Sequence, residues 1–424
     1  MEYKQVIDFL YSSFPMFEKT GGAAYHPGLE RIETLCAYFG DPHKKFPTIH
    51  VAGTNGKGSS SHMIASVLQS AGYKTGLYTS PHLKEFTERI RINGVEISQE
   101  KISRFVNEHL DYFKSFHASF FEITTLMAFY FFAEEKVDIA VIETGMGGRL
   151  DSTNIIQPEV SLITNISYDH MQYLGDTLET IAGEKAGIIK ANTPVVIGEK
   201  QDNTRAIFKN KAAELEAPLY FAEKFFKIEN VRFSNGIMTV DIPTYYKDLV
   251  CGLGGFYQEK NIKGVLTVFE LLNQKGWKLS EEAIRKGLEG VVTITGLKGR
   301  WYFLQQSPRI LCDTAHNEAG IRYVVEQLKT LSYRELYIVL GMVKDKDVET
   351  ILTLLPKNAW YFFSMPSLPR ALPVELLYEK ATAAGLKGET VPTIQEALQK
   401  AKLKATPEDL IFVGGSTFVV AEVI

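Results

Sequence analysis

Cysteine is scarce: the 424-residue chain holds three, Cys36, Cys251 and Cys312. They lie far apart and share no metal-ligand spacing, and an odd count in a chain this long fits a reducing compartment with thiols as small core residues. No run of about 18 apolar residues exists to cross a bilayer as a helix. The N-terminus, Met1-Glu-Tyr-Lys4, is charged and lacks the apolar stretch of a signal peptide. The expectation is a cytoplasmic protein without membrane contact. An excess of one charge is also lacking: 46 Lys and Arg stand against 50 Asp and Glu, a formal net charge of −4. That balance leaves no basic footprint for nucleic acid, so an anionic substrate must be met by a local cluster. Repeats and low-complexity tracts are missing as well.

What is present is an alternation of short apolar runs and amphipathic stretches, the pattern of an α/β protein with a largely parallel sheet. Thr48-Ile-His-Val-Ala52 reads as a strand, followed by a glycine-rich turn and a helix from about residue 59 to 71. Residues 74–78, 137–142 and 160–164 read as further strands, and the aromatic-rich segment 119–132 as a buried helix. The stretch 291–299 carries two glycines and no helical period. A second βα series follows, with strands at 309–312, 335–340, 360–363 and 410–413. The chain is too long for one ordinary core, so two domains are expected, residues 1–296 and 297–424.

The strongest motif is Gly53-Thr-Asn-Gly-Lys-Gly-Ser59, set between a strand and a helix, where a phosphate loop has to be. Glycines there let backbone N–H groups turn inward, and the helix N-terminus adds partial positive charge. Lys57 is placed to reach the β- and γ-phosphates, and Ser59 to face magnesium or a phosphate oxygen. The spacing departs from the common form, since Val51 stands where a glycine is usual and Gly58 separates the lysine from the serine. A plain glycine turn is the competing account.

Other candidates lie at strand ends. Glu143 closes an apolar strand and precedes Thr-Gly-Met-Gly-Gly148. A carboxylate at the carboxyl end of a parallel strand faces the ligand crevice of an open sheet and suits magnesium, which prefers oxygen ligands. Asp169 and His170 follow another strand, and the residues alone do not separate them as ligands. Lys185 reads by itself as an ordinary helical lysine beside Glu184. Asp313 and His316, in Cys-Asp-Thr-Ala-His-Asn317, follow a strand of the second series, where Asp313 could equally cap a helix.

In order and spacing these pieces resemble the folylpolyglutamate synthase and dihydrofolate synthase family, part of the Mur ligase superfamily, nearly end to end. The markers are Pro27-Gly-Leu-Glu-Arg31, the Gly53–Ser59 loop, Thr79-Ser-Pro-His-Leu83, Glu88-Arg-Ile90 and Glu143-Thr-Gly-Met-Gly-Gly-Arg-Leu-Asp-Ser-Thr-Asn154. Further along come Asp169-His170, Leu174-Gly175, Glu184-Lys-Ala-Gly-Ile188, Gln258 with Asn261, Arg300, Asp313 to Asn317 and Lys344-Asp-Lys-Asp347. Two positions differ from the family: Tyr257-Gln258 where His-Gln is common, and Tyr25-His-Pro27 where dual-function members often carry an acidic residue.

The resemblance implies a two-domain Mur-ligase-like α/β fold, with a P-loop ATP-binding domain on a mostly parallel sheet and a smaller Rossmann-like C-terminal domain. It implies an ATP-dependent ligase that adds L-glutamate to dihydropteroate or reduced folates through an acyl-phosphate. Thr54, Asn55, Gly56, Lys57, Gly58 and Ser59 hold the triphosphate in that reading, with Asn261, Arg300 and Asp313 as further ATP contacts. Ser80, Glu143 and His170 ligate Mg2+, and Lys185 is carbamylated. Lys57, Lys185 and His316 are the catalytic candidates. The pterin meets Tyr25, His26, Pro27, Ser119, Phe120, Phe121, Glu122, Leu150, Asp151 and Ser152. A monovalent cation such as K+ and a monomeric state are further implications.

Two rivals share parts of this pattern. A Mur-type peptidoglycan ligase uses the same chemistry on another acceptor, but its extra N-terminal domain needs at least ~50 residues of its own. Only 52 residues precede Gly53, and a helix and loop are expected there. A nucleotide-binding switch without ligase activity shares the phosphate loop, yet has no use for Lys185 or a second domain carrying Asp313.

Overall fold

The computed structural model describes residues 1–14 and 28–424. Tyr25, His26 and Pro27 therefore lie outside the described residues. Two compact units form: Met1–Glu229 with Asp241–Val250 and Glu259–Gly296, and Asn230–Val240 with Cys251–Gln258 and Leu297–Ile424.

The first unit is built on a sheet of eight strands. These are β1 (Thr48–Ala52), β2 (Thr75–Tyr78), β3 (Ile90–Ile92), β4 (Val95–Glu96), β5 (Ile139–Glu143), β6 (Val160–Ile163), β7 (Val195–Ile197) and β8 (Leu219–Phe221). Their order is β4-β3-β2-β5-β1-β6-β7-β8. The six strands from β2 to β8 in that order run parallel, and β3 and β4 add an antiparallel edge. β1 is central and wholly buried, which is why it reads as a nearly continuous apolar run rather than an alternating one. Ile49 pairs with Val141 on one side and Val160 on the other.

One face is covered by the helix Phe120–Glu134. Its N-terminus is fixed by a reciprocal capping box, with Glu122 N–H donating to Ser119 Oγ at 3.2 Å and Ser119 N–H to the Glu122 carboxylate at 2.6 Å. The helix is apolar on nearly every side because Phe129, Phe131 and Phe132 sit in a core shared with Phe105 and Phe113. Each such ring contributes roughly 1.5–3 kcal/mol of burial.

Strands β9 (Glu229–Ser234), β10 (Ile237–Ile242) and β11 (Tyr246–Cys251) come next along the chain. The second unit carries β12 (Tyr302–Gln306), β13 (Arg309–Asp313), β14 (Leu336–Leu340), β15 (Trp360–Phe363), β16 (Lys387–Thr390) and β17 (Leu410–Gly414) in the order β12-β13-β17-β14-β15-β16. All but the hairpin strand β12 are parallel. Its core is separate and includes Leu311, Ile338, Tyr361 and Phe363.

One local expectation is corrected. Residues Val291–Thr295 form a short helix ended by Gly296 at φ 72°. The β-branched run Val-Val-Thr-Ile-Thr disfavours a helix by propensity, but burial of Val291 and Thr295 overrides it. Thr295 Oγ1 bonds the Val291 carbonyl at 2.5 Å and meets His62 Nδ1 at 2.8 Å.

Candidate functional site

The loop after β1 is shaped by two glycines that no other residue replaces. At Gly53, φ is +147° and an added Cβ would lie 1.8 Å from Thr164 Oγ1; at Gly56, φ is +83° and it would lie 2.2 Å from Asn261 Oδ1. The loop is stapled to the turn after β6. Thr54 N–H donates to the Asn165 carbonyl and Asn55 N–H to Asn165 Oδ1, both at 2.9 Å, while Thr164 Oγ1 donates to the Asn55 carbonyl at 2.6 Å. The Thr54 and Asn55 amides are thus engaged inside the protein. The helix Lys57–Ser70 starts two residues earlier than the sequence pattern suggested, and its N-terminus is the end suited to an anion. Asn165, which sequence reasoning passed over, is the staple.

Two lysines converge on one carbonyl. Lys57 Nζ donates to Gly53 O at 3.1 Å and Thr54 O at 3.3 Å, and Lys185 Nζ donates to Gly53 O at 2.9 Å. Lys185 belongs to the helix Leu178–Ala186 and is 3% exposed. Burial, and secondarily the nearby Lys57 ammonium, bring its amine down to about 7. It is not the ordinary surface lysine its local sequence suggests.

Glu143 ends β5 beside Val51 of β1 and is buried. Ser80 N–H donates to its Oε2 at 3.3 Å, and the Ser80 hydroxyl is buried with no hydrogen-bond partner. An orphaned hydroxyl oxygen next to a buried carboxylate is a donor set that fits a hard divalent cation, which completes its shell with phosphate oxygens and waters. Among the described residues no group of three or more His, Cys, Asp or Glu side chains is arranged to hold a metal. His170 lies instead in a left-handed turn, its Nε2 3.9 Å from Asp169 Oδ1.

The segment after Glu143 is clamped from within. Asp151 accepts from the N–H groups of Gly145 and Met146 at 2.9 Å each, from Thr153 N–H at 3.0 Å and from Thr153 Oγ1 at 2.5 Å. A Cβ on Gly145 would lie 2.5 Å from the Phe121 ring, and one on Gly148 would lie 3.1 Å from Lys185 Cα. Glu122 is likewise committed: besides capping its helix it pairs with Arg31 Nε at 3.0 Å. Phe121, Gly145 and Asp151 are brought together, whereas Glu122 serves the helix end.

In the second unit Asp313 is a hub. Its buried carboxylate accepts from Tyr257 OH at 2.6 Å, Trp301 N–H at 2.8 Å and Ala315 N–H at 2.8 Å. Burial pushes its pKa up, against the Tyr257 hydrogen bond and the Arg300 guanidinium. His316 Nδ1 lies 3.0 Å from the Thr314 carbonyl. The helix that follows is capped by Asn317, not Asp313, so the capping account of Asp313 fails. Tyr257, noted in the sequence as a departure from the family, supplies the hydroxyl that donates to this carboxylate.

Comparison with known proteins accords with this geometry. Residues 51–235 match the Mur ligase middle domain and residues 299–417 the Mur ligase glutamate ligase domain. The dihydrofolate synthase/folylpolyglutamate synthase of Bacillus subtilis is 34% identical over 411 residues, covering 94% of each chain. The structure of E. coli FolC in complex with DHPP and ADP superposes with a TM-score of 0.86 at 28% identity, covering 100% of this chain and 97% of that one. A bifunctional folylpolyglutamate synthase/dihydrofolate synthase with Mn, AMPPNP and L-glutamate bound gives 0.83 at 29% identity, covering 100% and 97%. With its two α/β units, stapled phosphate loop and buried lysine, the chain belongs to the dihydrofolate synthase/folylpolyglutamate synthase family of Mur ligases.

Proposed function

We propose that the chain is an ATP-dependent ligase that adds L-glutamate to dihydropteroate, to the glutamate tail of folates, or to both. The observation that carries the reading is the convergence of Lys57 and buried Lys185 on the Gly53 carbonyl, with Glu143 on the neighbouring strand. A carboxylate resists an amine because its leaving group is too poor. In the first step a carboxylate oxygen bonds to the γ-phosphorus of ATP as the bond to ADP breaks. The glutamate nitrogen then bonds to the acyl carbon, phosphate leaves with its C–O electron pair, and the amine proton is lost. Amide, ADP and phosphate result. Such catalysis is mostly positioning and charge neutralisation.

In this reading residues 1–296 bind ATP and the pterin acid, and 297–424 form the glutamate ligase domain. Thr54 to Ser59 form the loop around the triphosphate, with phosphate contact falling to the helix start at Lys57 because the Thr54 and Asn55 amides are taken. Lys57 reaches the terminal phosphates, and Asn261 is the candidate for adenine. Arg300 and Asp313 are the second unit's ATP candidates, and His316 its catalytic one. Ser80, Glu143 and His170 would hold magnesium, which would supply neutralising charge to the transferring phosphoryl group. A neutral Lys185 amine adds CO2, forming an N–C bond and releasing a proton, and becomes an anionic carbamate. The pterin lies against Ser119, Phe120, Phe121, Glu122, Leu150, Asp151 and Ser152, with Tyr25, His26 and Pro27 from the segment outside the described residues. A K+ requirement, a monomeric state and a cytoplasmic location belong to the same proposal. No helix among the described residues is long and apolar enough to cross a membrane.

The test is mass spectrometry of products formed from ATP, magnesium and glutamate with either dihydropteroate or tetrahydrofolate. A mass gain of one glutamyl unit on either acceptor is expected, and Lys57→Ala is expected to abolish it with both. ATP hydrolysis indifferent to pterin and glutamate would refute the ligase reading.

A further inference from the structure

A histidine in the middle of a buried parallel strand is a poor choice for packing alone. His50 is fully buried on central β1, between Ile142 of β5 and Ser161 of β6. Its Nε2 lies 2.9 Å from Thr153 Oγ1, while its Nδ1 is buried with no hydrogen-bond partner. Leaving a buried acceptor unmatched is costly, so the residue earns its place through Nε2.

The proton inventory fixes the direction of each bond. Burial raises the Asp151 pKa, but the carboxylate faces three backbone donors, Gly145, Met146 and Thr153, and three obligate donors around one carboxylate favour its ionised, accepting form. The Thr153 hydroxyl has one proton, and at 2.5 Å from Asp151 Oδ1 that proton goes to the carboxylate. The hydroxyl then presents a lone pair to His50, so Nε2 must carry the hydrogen and Nδ1 must be bare. Burial pushes the imidazole down to about 3, so the ring holds a single proton at working pH. The chain of bonds runs from the sheet centre through Thr153 to Asp151, and from there to the amides that follow Glu143. The same loop reaches the helix of Lys185 through Gly148.

We propose that His50 is a positioning residue of this ligase: through the Thr153 hydroxyl it orients the Asp151 carboxylate and thereby sets the loop that joins Glu143 to the pterin wall and to Lys185. The functional consequence rests on the ligase reading above, but the hydrogen-bond relay does not. His50→Leu and Thr153→Val each lower kcat/KM for the pterin acid by about 10- to 100-fold, the usual scale for a residue acting through another. Affinity for ATP alone, measured by calorimetry, changes by less than about twofold.

The conservative variants discriminate a relay from mere packing. His50→Gln places an amide N–H close to the position of Nε2 and recovers most of the activity; His50→Asn reaches only as far as Nδ1 and does not. Ring 15N shifts of the wild-type protein, assigned by difference with His50→Gln, show a protonated Nε2 and an unprotonated Nδ1 between pH 6 and 9. A protonated Nδ1, a His50→Leu enzyme with wild-type kinetics, or a His50→Gln enzyme no better than His50→Asn overturns the proposal. If the wild type itself makes no glutamyl product, the ligase reading fails, and the tautomer measurement still decides the relay. If His50→Leu does not fold, the Gln and Asn pair and the ring shifts carry the test.

Discussion

Lys185 offers the sharpest quantitative test of the site, because burying its amine makes the stability of the fold depend on pH. That amine falls from an ordinary 10.5 to about 7 in the folded chain, and each tenfold loss of proton affinity corresponds to about 1.4 kcal/mol. The gap between the two values therefore amounts to a cost on the order of 5 kcal/mol for burying the ammonium. The folded pKa is the lower of the two, so between pH 7 and 10.5 the unfolded chain binds more protons and stability rises with pH. Below about pH 7 both states are protonated and the full cost is present. Between pH 6 and 9 the wild type gains roughly 2–3 kcal/mol from this one group.

Lys185→Met removes the charge and keeps the volume, at the loss of the hydrogen bond to Gly53 O, about 1.5–3 kcal/mol for a charged donor. The variant is therefore more stable than the wild type at pH 6, by about 2–3 kcal/mol, and the advantage disappears near pH 9. The assay is urea denaturation of both proteins from pH 6 to 9 in CO2-depleted buffer, comparing differences rather than absolute values. Added bicarbonate at pH 8 stabilises the wild type alone, since carbamylation consumes the neutral amine. The variant is inactive throughout. Parallel stability curves for the two proteins would show that the amine keeps its ordinary basicity, and would exclude a neutral, carbamylation-ready lysine.

Other consequences follow from the same geometry. Gly53→Ala forces a Cβ onto Thr164 Oγ1 at a φ of +147°, so a stability loss of about 2–4 kcal/mol is expected in thermal melts, together with loss of ATP binding; a variant that binds ATP normally contradicts the stapled loop. Tyr257→Phe removes a 2.6 Å donor from buried Asp313 and is expected to cost about 1.5–3 kcal/mol at neutral pH. Because burial raises the Asp313 pKa, acid protonates the carboxyl and the gap to wild type narrows as pH falls. A gap that widens in acid would contradict it.

The legible parts of this chain are those in which chemistry and local periodicity coincide. β1 and the Gly53–Ser59 loop could be read because a phosphate loop needs closely spaced glycines between a strand and a helix. The helix at 119–132 could be read because the segment is aromatic-rich and longer than a strand, whereas its Ser119–Glu122 capping box is seen only in the structure. Residues whose partners are distant could not. Nothing near Asn165 announces that it holds a loop 110 residues away, and nothing near residues 230–240 or 251–258 announces that they pack with the second unit. Lys185 is the instructive case: beside Glu184 it looks like a solvent-facing helical lysine, and only the sheet packed over its helix brings its amine down to about 7. His50 shows the signal that was available. In a strand otherwise made of Thr, Ile, Val and Ala, buried on both faces, a lone imidazole has no packing reason to be there. Such a residue must have a hydrogen-bond partner elsewhere in the fold. Polar side chains inside central strands are therefore the place to look for a site's hidden supports, as carboxylates at strand ends are the place to look for its ligands.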